Sequence, residues 1–280
     1  MIGRQITSLT NPTVKAVRAL HLRKEREASG LFLAEGLKLV GEALDLGHTP
    51  RILLYGPEAG SMPLLRRAAA ATAEAGGEVI EVSRDILEKV SRRDNPQTVV
   101  AVFPQVFTLA GALIPQSARC WVALQAVRDP GNLGTIIRTA DAAGCGGVIL
   151  VGDCCDPYSV EAVRATMGSI FAIPLVKLTA TEFLAWRASW PGSVVGTLLS
   201  SDLDYRKADY RAPALILMGN EQAGLPPDLA AACDVNVKIP MRGRADSLNL
   251  AVATGVMIYA ATEESQDGKE TAAEPPTPSA

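Results

Sequence analysis

The chain has 280 residues, of which 48% are hydrophobic, 20% charged and only 5% aromatic, and its formal net charge is −3. This is an ordinary soluble α/β profile, long enough for one large domain or two modest ones. No apolar run follows the basic residues of MIGRQITSLTNPTVK, so a signal peptide is not expected. The most apolar stretch, Leu250 to Ala261, is far short of the ~20 residues a membrane-spanning helix needs, so a buried core helix is expected there. The cysteines Cys120, Cys145, Cys154, Cys155 and Cys233 show no CxxC or Cys/His metal spacing. Their odd, scattered arrangement fits reduced thiols in a cytoplasm, with neither metal nor disulfide.

In chain order, Asn11-Pro12 opens a helical pattern running to about Ala28, with proline at its tolerated first-turn position. The pattern then predicts a strand at Leu31–Ala34, a helix at Glu35–Leu46, a strand at Arg51–Tyr55 and an alanine-rich helix at Pro63–Ala75. A strand at Glu78–Val82, a helix at Arg84–Val90 and a strand at Thr98–Phe103 complete a small α/β unit, residues 1–105. Residues 106–117 read as a linker. From Ala118 the strands CWVALQAV, GGVILV, AIPLVKL, SVVGTLL, ALILM and VNVKIP are almost continuously apolar, as in a parallel sheet covered on both faces. Helices are expected between them at Thr135–Ala143, Tyr158–Met167, Ala180–Trp190 and Pro226–Ala231, and a last one at Ser247–Thr262. Residues 263–280 carry five acids against one lysine and end EPPTPSA, the composition of a disordered acidic tail. Without that tail the body is slightly positive, and six Lys/Arg against two Glu fall within residues 1–30, with Lys89, Arg92 and Arg93 beyond. Such local clusters can hold phosphates, or be merely solvated helix faces.

Neither a G-x-G-x-x-G fingerprint opening a helix after a strand, nor a GxxxxGK[ST] loop, nor a GxSxG elbow is present. Dinucleotide oxidoreductases, NTPases and hydrolases of those types therefore have only the generic α/β pattern behind them. Three polar, glycine-bearing loops stand out instead: Arg128 to Asp141 (RDPGNLGTIIRTAD), Met218 to Leu225 (MGNEQAGL) and Ile239 to Leu250 (IPMRGRADSLNL). Each follows a predicted strand, at the carboxyl edge where open α/β sheets bind ligands.

In this order the loops closely resemble the signature motifs of the SpoU (TrmH-like) family of SPOUT methyltransferases. The shared patterns are N-x-G-x-I-x-R-T-A-D-A-x-G, G-N-E-x-x-G-L and I-P-M-x-G-x-x-x-S-L-N. The segments ITSLTNPTVKAV, LRKERE and GLFLAEGLKLVGEAL are similar to the ribosomal-protein-like substrate-binding domain often fused to that catalytic domain. The resemblance implies an RNA substrate-binding domain at 1–105 and a catalytic SPOUT domain at 118–262. In the latter a parallel sheet carries a deep trefoil knot formed by the second and third loops, an arrangement no periodicity would justify. It implies S-adenosylmethionine as cofactor and methyl transfer to a ribose 2′-hydroxyl in ribosomal, or else transfer, RNA. A homodimer whose active sites draw on both subunits also follows, with no membrane or metal partner. The alternative is a member that binds RNA without turnover, which the full set of polar motif residues counts against.

The resemblance places Gly219, Ile239 and Leu248 on the cofactor and Arg138, Asn132, Glu221, Ser247 and Asn249 at the reaction. The residues suit those tasks: an in-line displacement needs two substrates positioned and an oxygen made more nucleophilic. An adenine and a thioether-like chain want backbone donors and acceptors between apolar walls, which a glycine loop with isoleucine and leucine supplies. A guanidinium is a poor base because it holds its proton so tightly, so Arg138 fits a phosphate-positioning role; it also suits an i,i+3 ion pair with Asp141. Glu221 fits equally a carboxylate at a helix N-terminus, and Ser247 the N-cap of the last helix.

Overall fold

A computed structural model describes residues 3–263; the acidic tail, apart from Glu263, lies outside the described residues. The first unit contains β1 (Arg4–Ile6), α1 (Pro12–Ala19), α2 (Arg23–Ser29), β2 (Leu31–Glu35), α3 (Leu37–Asp45) and β3 (Ile52–Tyr55). It continues through α4 (Pro63–Glu74), β4 (Glu78–Val82), α5 (Arg84–Ser91) and β5 (Val99–Pro104). The sheet order is β1-β4-β3-β5-β2; β1, β4 and β3 are parallel, and β5 runs antiparallel to both β3 and β2. Asn11 caps α1, its side chain accepting from Thr13 N at 2.9 Å. The single helix expected to Ala28 is instead two. Leu20 turns into the core between them, and the His21 ring reaches the Val90 carbonyl at 2.7 Å. The short edge strand β1 was not expected.

The second unit is built on β6 (Cys120–Gln125), α6 (Pro130–Ala142), β7 (Val148–Val151), α7 (Val160–Thr166), β8 (Leu175–Leu178) and α8 (Ala180–Arg187). It ends with β9 (Val194–Thr197), β10 (Ala214–Met218), α9 (Pro227–Ala231), β11 (Val235–Val237) and α10 (Leu250–Thr262). All six strands are parallel, in the order β11-β9-β10-β6-β7-β8. Both faces are covered, which is why these strands lack polar alternation. Trp121 and Ala123 pack with Ile149, Val176, Phe183 and Leu215 on one face, while Cys120, Val122 and Leu124 join the core on the other. The run Gly144 to Gly147 has a packing reason, since a Cβ at Gly146 or Gly147 would overlap the Trp121 ring. From β6 the chain builds outward through β7 and β8, then returns to set β10 against the other side of β6. The strand order therefore reverses between β6 and β10, and the crevice outside their carboxyl ends is where such sheets bind ligands.

The two units share one core. Phe32 and Phe103 of the first stack on Tyr158 and Phe171 of the second, with ring centroids 4.6 Å (Phe32–Tyr158) and 4.8 Å (Phe103–Phe171) apart. Two ion pairs cross the seam: Arg26 to Asp156 at 2.7 Å, with side chains only 4% and 9% exposed, and Arg164 to Glu35 at 2.7 Å. Residues 106–117 hold no strand or α-helix but are pinned. Tyr158 Oη donates to Val106 O at 2.6 Å, Thr108 N donates to Leu175 O at 2.8 Å, and Trp121 Nε1 donates to Pro115 O at 2.9 Å.

Candidate active site

Helix α6 begins five residues earlier than its periodicity predicts, because Asp129-Pro130 is itself a start signal. Asp129 Oδ1 accepts from Asn132 N at 2.6 Å, and Pro130 takes the position where no donor is lost. Asn132 is thus in the first turn, beside the positive end of the helix dipole. The carboxylate of Glu221 lies against that end, accepting from Arg128 N at 3.3 Å and from Asp129 N at 3.4 Å. Negative charge is favoured there. A relay of amides joins the three loops: Asn249 Nδ2 donates to Asn132 Oδ1 at 2.9 Å, and Asn132 Nδ2 donates to Glu221 Oε1 at 3.4 Å. The structure brings Asn132, Glu221 and Asn249 together as a set.

Asn249, not Ser247, caps the last helix, its Oδ1 accepting from Ala251 N at 2.9 Å and Val252 N at 3.3 Å. Ser247 instead donates to Asp246 Oδ1 at 3.3 Å and faces the crevice. The glycine at 219 also has a packing reason. A Cβ there would overlap the backbone of Gly224 and Leu225, so glycine is required first by the loop folding onto itself. Asn220 closes that loop: its Oδ1 accepts from Gln222 N at 2.9 Å and Ala223 N at 3.2 Å, while its Nδ2 donates to Ala126 O at 2.7 Å. Ala126 has φ +47°, an uncommon conformation for a residue with a Cβ, and the Asn220 bond helps hold it.

Around this relay is a cavity of about 710 Å³. Of the residues expected on the cofactor, Gly219, Ile239 and Leu248 all line it, and Asn132, Glu221, Ser247 and Asn249 lie along it. Sequence reading missed Asn220, Met241 and the wall formed by Thr197 to Ser200; the signal for that wall was its place at the carboxyl end of β9. Leu198, Met218, Leu225 and Ile239 give apolar surface, and the 219–225 backbone gives polar groups. Volume and lining fit an adenosine with a short thioether-like chain. A thiol nucleophile does not fit: Cys155, electrostatically close to Glu221 and Asp129, is pushed up to about 12 by burial and by those acids.

Arg138 does not line the cavity. It lies on α6 about 9 Å along the helix axis from Asn132. The side chain is exposed, and it makes no hydrogen bond or ion pair with any described residue, Asp141 included. The bland role as an i,i+3 partner is therefore absent. Among the described residues no group of three or more His, Cys, Asp or Glu is placed to hold a metal, and no helix of the described residues is long and apolar enough to cross a membrane.

An open parallel sheet with three polar loops converging at its switch point defines an α/β protein with a nucleoside-sized ligand site. The chain belongs to the SpoU rRNA Methylase family, which it matches over residues 119–259. Residues 11–101 match the MRM3-like substrate binding domain. The 23S rRNA (guanosine(2553)-2′-O)-methyltransferase RlmP of Bacillus subtilis (strain 168) is 34% identical over 91% of this chain and 98% of its own. The 23S rRNA (uridine(2479)-2′-O)-methyltransferase of Streptomyces viridochromogenes is 33% identical over 95% of this chain and 94% of its own. The crystal structure of an AdoMet-bound rRNA methyltransferase from Sinorhizobium meliloti superposes with a TM-score of 0.88. It is 50% identical to this chain and covers 93% of it and 98% of its own chain.

Proposed function

We propose that the protein transfers a methyl group from S-adenosylmethionine to a ribose 2′-hydroxyl of 23S ribosomal RNA. The observation that carries this reading is the Asn249–Asn132–Glu221 relay at the mouth of a nucleoside-sized cavity. When bound, S-adenosylmethionine supplies an electrophilic methyl group. The loop at 219–225 and Ile239 would hold it from the backbone, Leu198 and Leu248 from the sides. The relay fixes the mouth, so an incoming ribose meets Asn132, Ser247 and Asn249 in one geometry; such positioning is a large part of a displacement's acceleration. Arg138 binds the RNA phosphate through its planar fork and positions it beside the hydroxyl, whose proton passes to that phosphate as the 2′-oxygen takes the methyl group.

Arg138 lies outside its own subunit's cavity, so it serves the cavity of a second copy. Support for a homodimer comes from α10, which is apolar around its whole circumference and packs on α6. On its outer side Val252 and Tyr259 remain 54% and 53% exposed, and a helix apolar all round belongs in an interior. The test is incorporation of label from methyl-labelled cofactor into unmodified 23S rRNA, followed by nucleoside analysis. A 2′-O-methyl nucleoside is expected; no label, or label on a base, would refute the reading. Mixing inactive Arg138→Ala and Asn249→Asp subunits should restore activity through heterodimers with one intact site. Failure to do so would place Arg138 in its own subunit's reaction.

A further inference from the structure

The arginines of the second unit divide into two sets. Arg119, Arg128, Arg164, Arg187, Arg206 and Arg211 each hold a carboxylate or a backbone carbonyl: Arg128 pairs with Asp153 at 3.0 Å, Arg187 with Asp234 and Arg206 with Asp204. Three have no hydrogen-bond or ion-pair partner among the described residues. One is Arg138; the others are Arg242 and Arg244, both exposed, on the loop joining β11 to α10.

That loop forms one rim of the cavity, to which it contributes Met241, Ser247 and Leu248. Arg242 and Arg244 are not among the lining residues, so they are not used to hold what the cavity holds. The acid nearest them in sequence, Asp246, takes its hydrogen bond from Ser247. Two unpaired, exposed guanidinium groups therefore sit on the loop that forms this rim, between Met241 and Ser247. Being two residues apart on an irregular segment, their Cα atoms are separated by at most roughly 7 Å, a span comparable to that between successive phosphates of a single strand. The planar fork of each suits bidentate contact with a phosphate.

We infer that Arg242 and Arg244 are a phosphate clamp, gripping the RNA backbone on either side of the nucleotide whose ribose enters the mouth. The inference rests on the proposed RNA reaction but is tested without it. Binding of a mixed-sequence single-stranded RNA oligonucleotide to the full chain is measured over a range of salt, for wild type, Arg242→Gln, Arg244→Gln and the double variant. Each single variant should reduce the magnitude of the negative slope of log K against log salt by about 0.7, and the double variant by about 1.4. Calorimetric affinity for S-adenosylmethionine should stay within twofold of wild type. Lysine at either position should keep the slope while losing part of the affinity. Unchanged slopes would overturn the clamp, and so would a loss of cofactor affinity as large as the loss for RNA, since that would assign the arginines to the cavity. If the slopes become shallower while wild type transfers no methyl group to 23S rRNA, the clamp stands and the proposed reaction fails.

Discussion

The seam between the two units and the mouth of the cavity use the same residue types in opposite ways. At the seam, Arg26 and Asp156 are buried and matched, Arg26 Nη1 also donating to Leu20 O at 2.8 Å, and Glu35 lies under Arg164 with 3% of its side chain exposed. On the loop that rims the cavity Arg242 and Arg244 are exposed and unmatched, as is Arg138 outside it on α6. The difference teaches where each region spends its interactions. Matched buried charges cost desolvation and leave no donors over, so they specify an arrangement. Unmatched exposed ones contribute little to the fold and keep every donor for a ligand. The two regions meet in the loop after β7: Asp156 is three residues beyond Asp153, the partner of Arg128, and Cys155 N donates to Val127 O at 2.8 Å. The first unit is thereby docked onto a loop that in turn holds the one leading into Asn132.

The largest effect that tests this contrast is at the seam. Asp156→Ala strands a buried guanidinium and should cost about 3–5 kcal/mol, lowering Tm by about 10 °C in a protein of this size. Arg26→Met with Asp156→Leu, which removes both charges, should recover most of that loss. Calorimetry or a thermal-shift scan checks both. A single variant melting within about 2 °C of wild type would mean that the seam is solvated and the contrast with the mouth false.

Arg138→Ala should do the reverse. Exposed and unpaired, the side chain contributes well under ~1 kcal/mol to stability, but loss of a transition-state contact to phosphate should cost roughly 3 kcal/mol, about a hundredfold in rate. Single-turnover methyl transfer and Tm, measured together, decide it: near-normal turnover with a lowered Tm makes Arg138 structural. Arg138→Lys sharpens the test by keeping the charge and losing the fork.

Asn249 carries both roles in one side chain, since Oδ1 caps α10 and Nδ2 feeds the relay. Asn249→Ala should cost about 1–2 kcal/mol of stability as well as activity. Asn249→Asp keeps the cap but turns an acceptor toward Asn132 Oδ1, so activity should fall with stability nearly unchanged. Parallel losses in both variants would show that the relay has no function beyond the cap.

The three loops were legible in the sequence because each is continuous, glycine-marked and attached to an apolar strand. Their convergence needed no long-range guess once the family pattern was recognised. What was illegible depends on pairings far apart in the chain. Arg26 and Asp156 meet across 130 residues, and each alone reads as a surface charge. Thr197 to Leu199 of that wall looked like the end of a strand, SVVGTLL, since nothing local distinguishes pairing residues from those that overhang the sheet. The break after Ala19 follows from a tertiary bond of His21, and the cap at Asn249 rather than Ser247 from a partner on another helix. Local propensity sets which elements exist; their ends were set by contacts it does not contain.

The smallest expected effect sharpens the seam's outer limit. His21, half-buried between α1 and α2, donates from Nε2 to the Val90 carbonyl, and the charged groups that influence it are Arg92, Glu35 and Arg164. Burial holds its pKa below the ordinary 6.5, with Arg92 and Arg164 adding to the depression and the Val90 carbonyl and Glu35 opposing it. A folded-state pKa below the unfolded one means that the unfolded chain binds more protons as the solution is acidified. The contribution is therefore complete above pH 6.5 and is lost as the pH falls through the depressed value. His21→Gln keeps a donor for Val90 without titrating. Between about pH 7.5 and pH 5 the wild-type Tm should fall more than the variant's, by on the order of one degree. Equal pH slopes in the two proteins would mean that His21 is freely hydrated, and that the seam closes only further in, at Arg164 and Glu35.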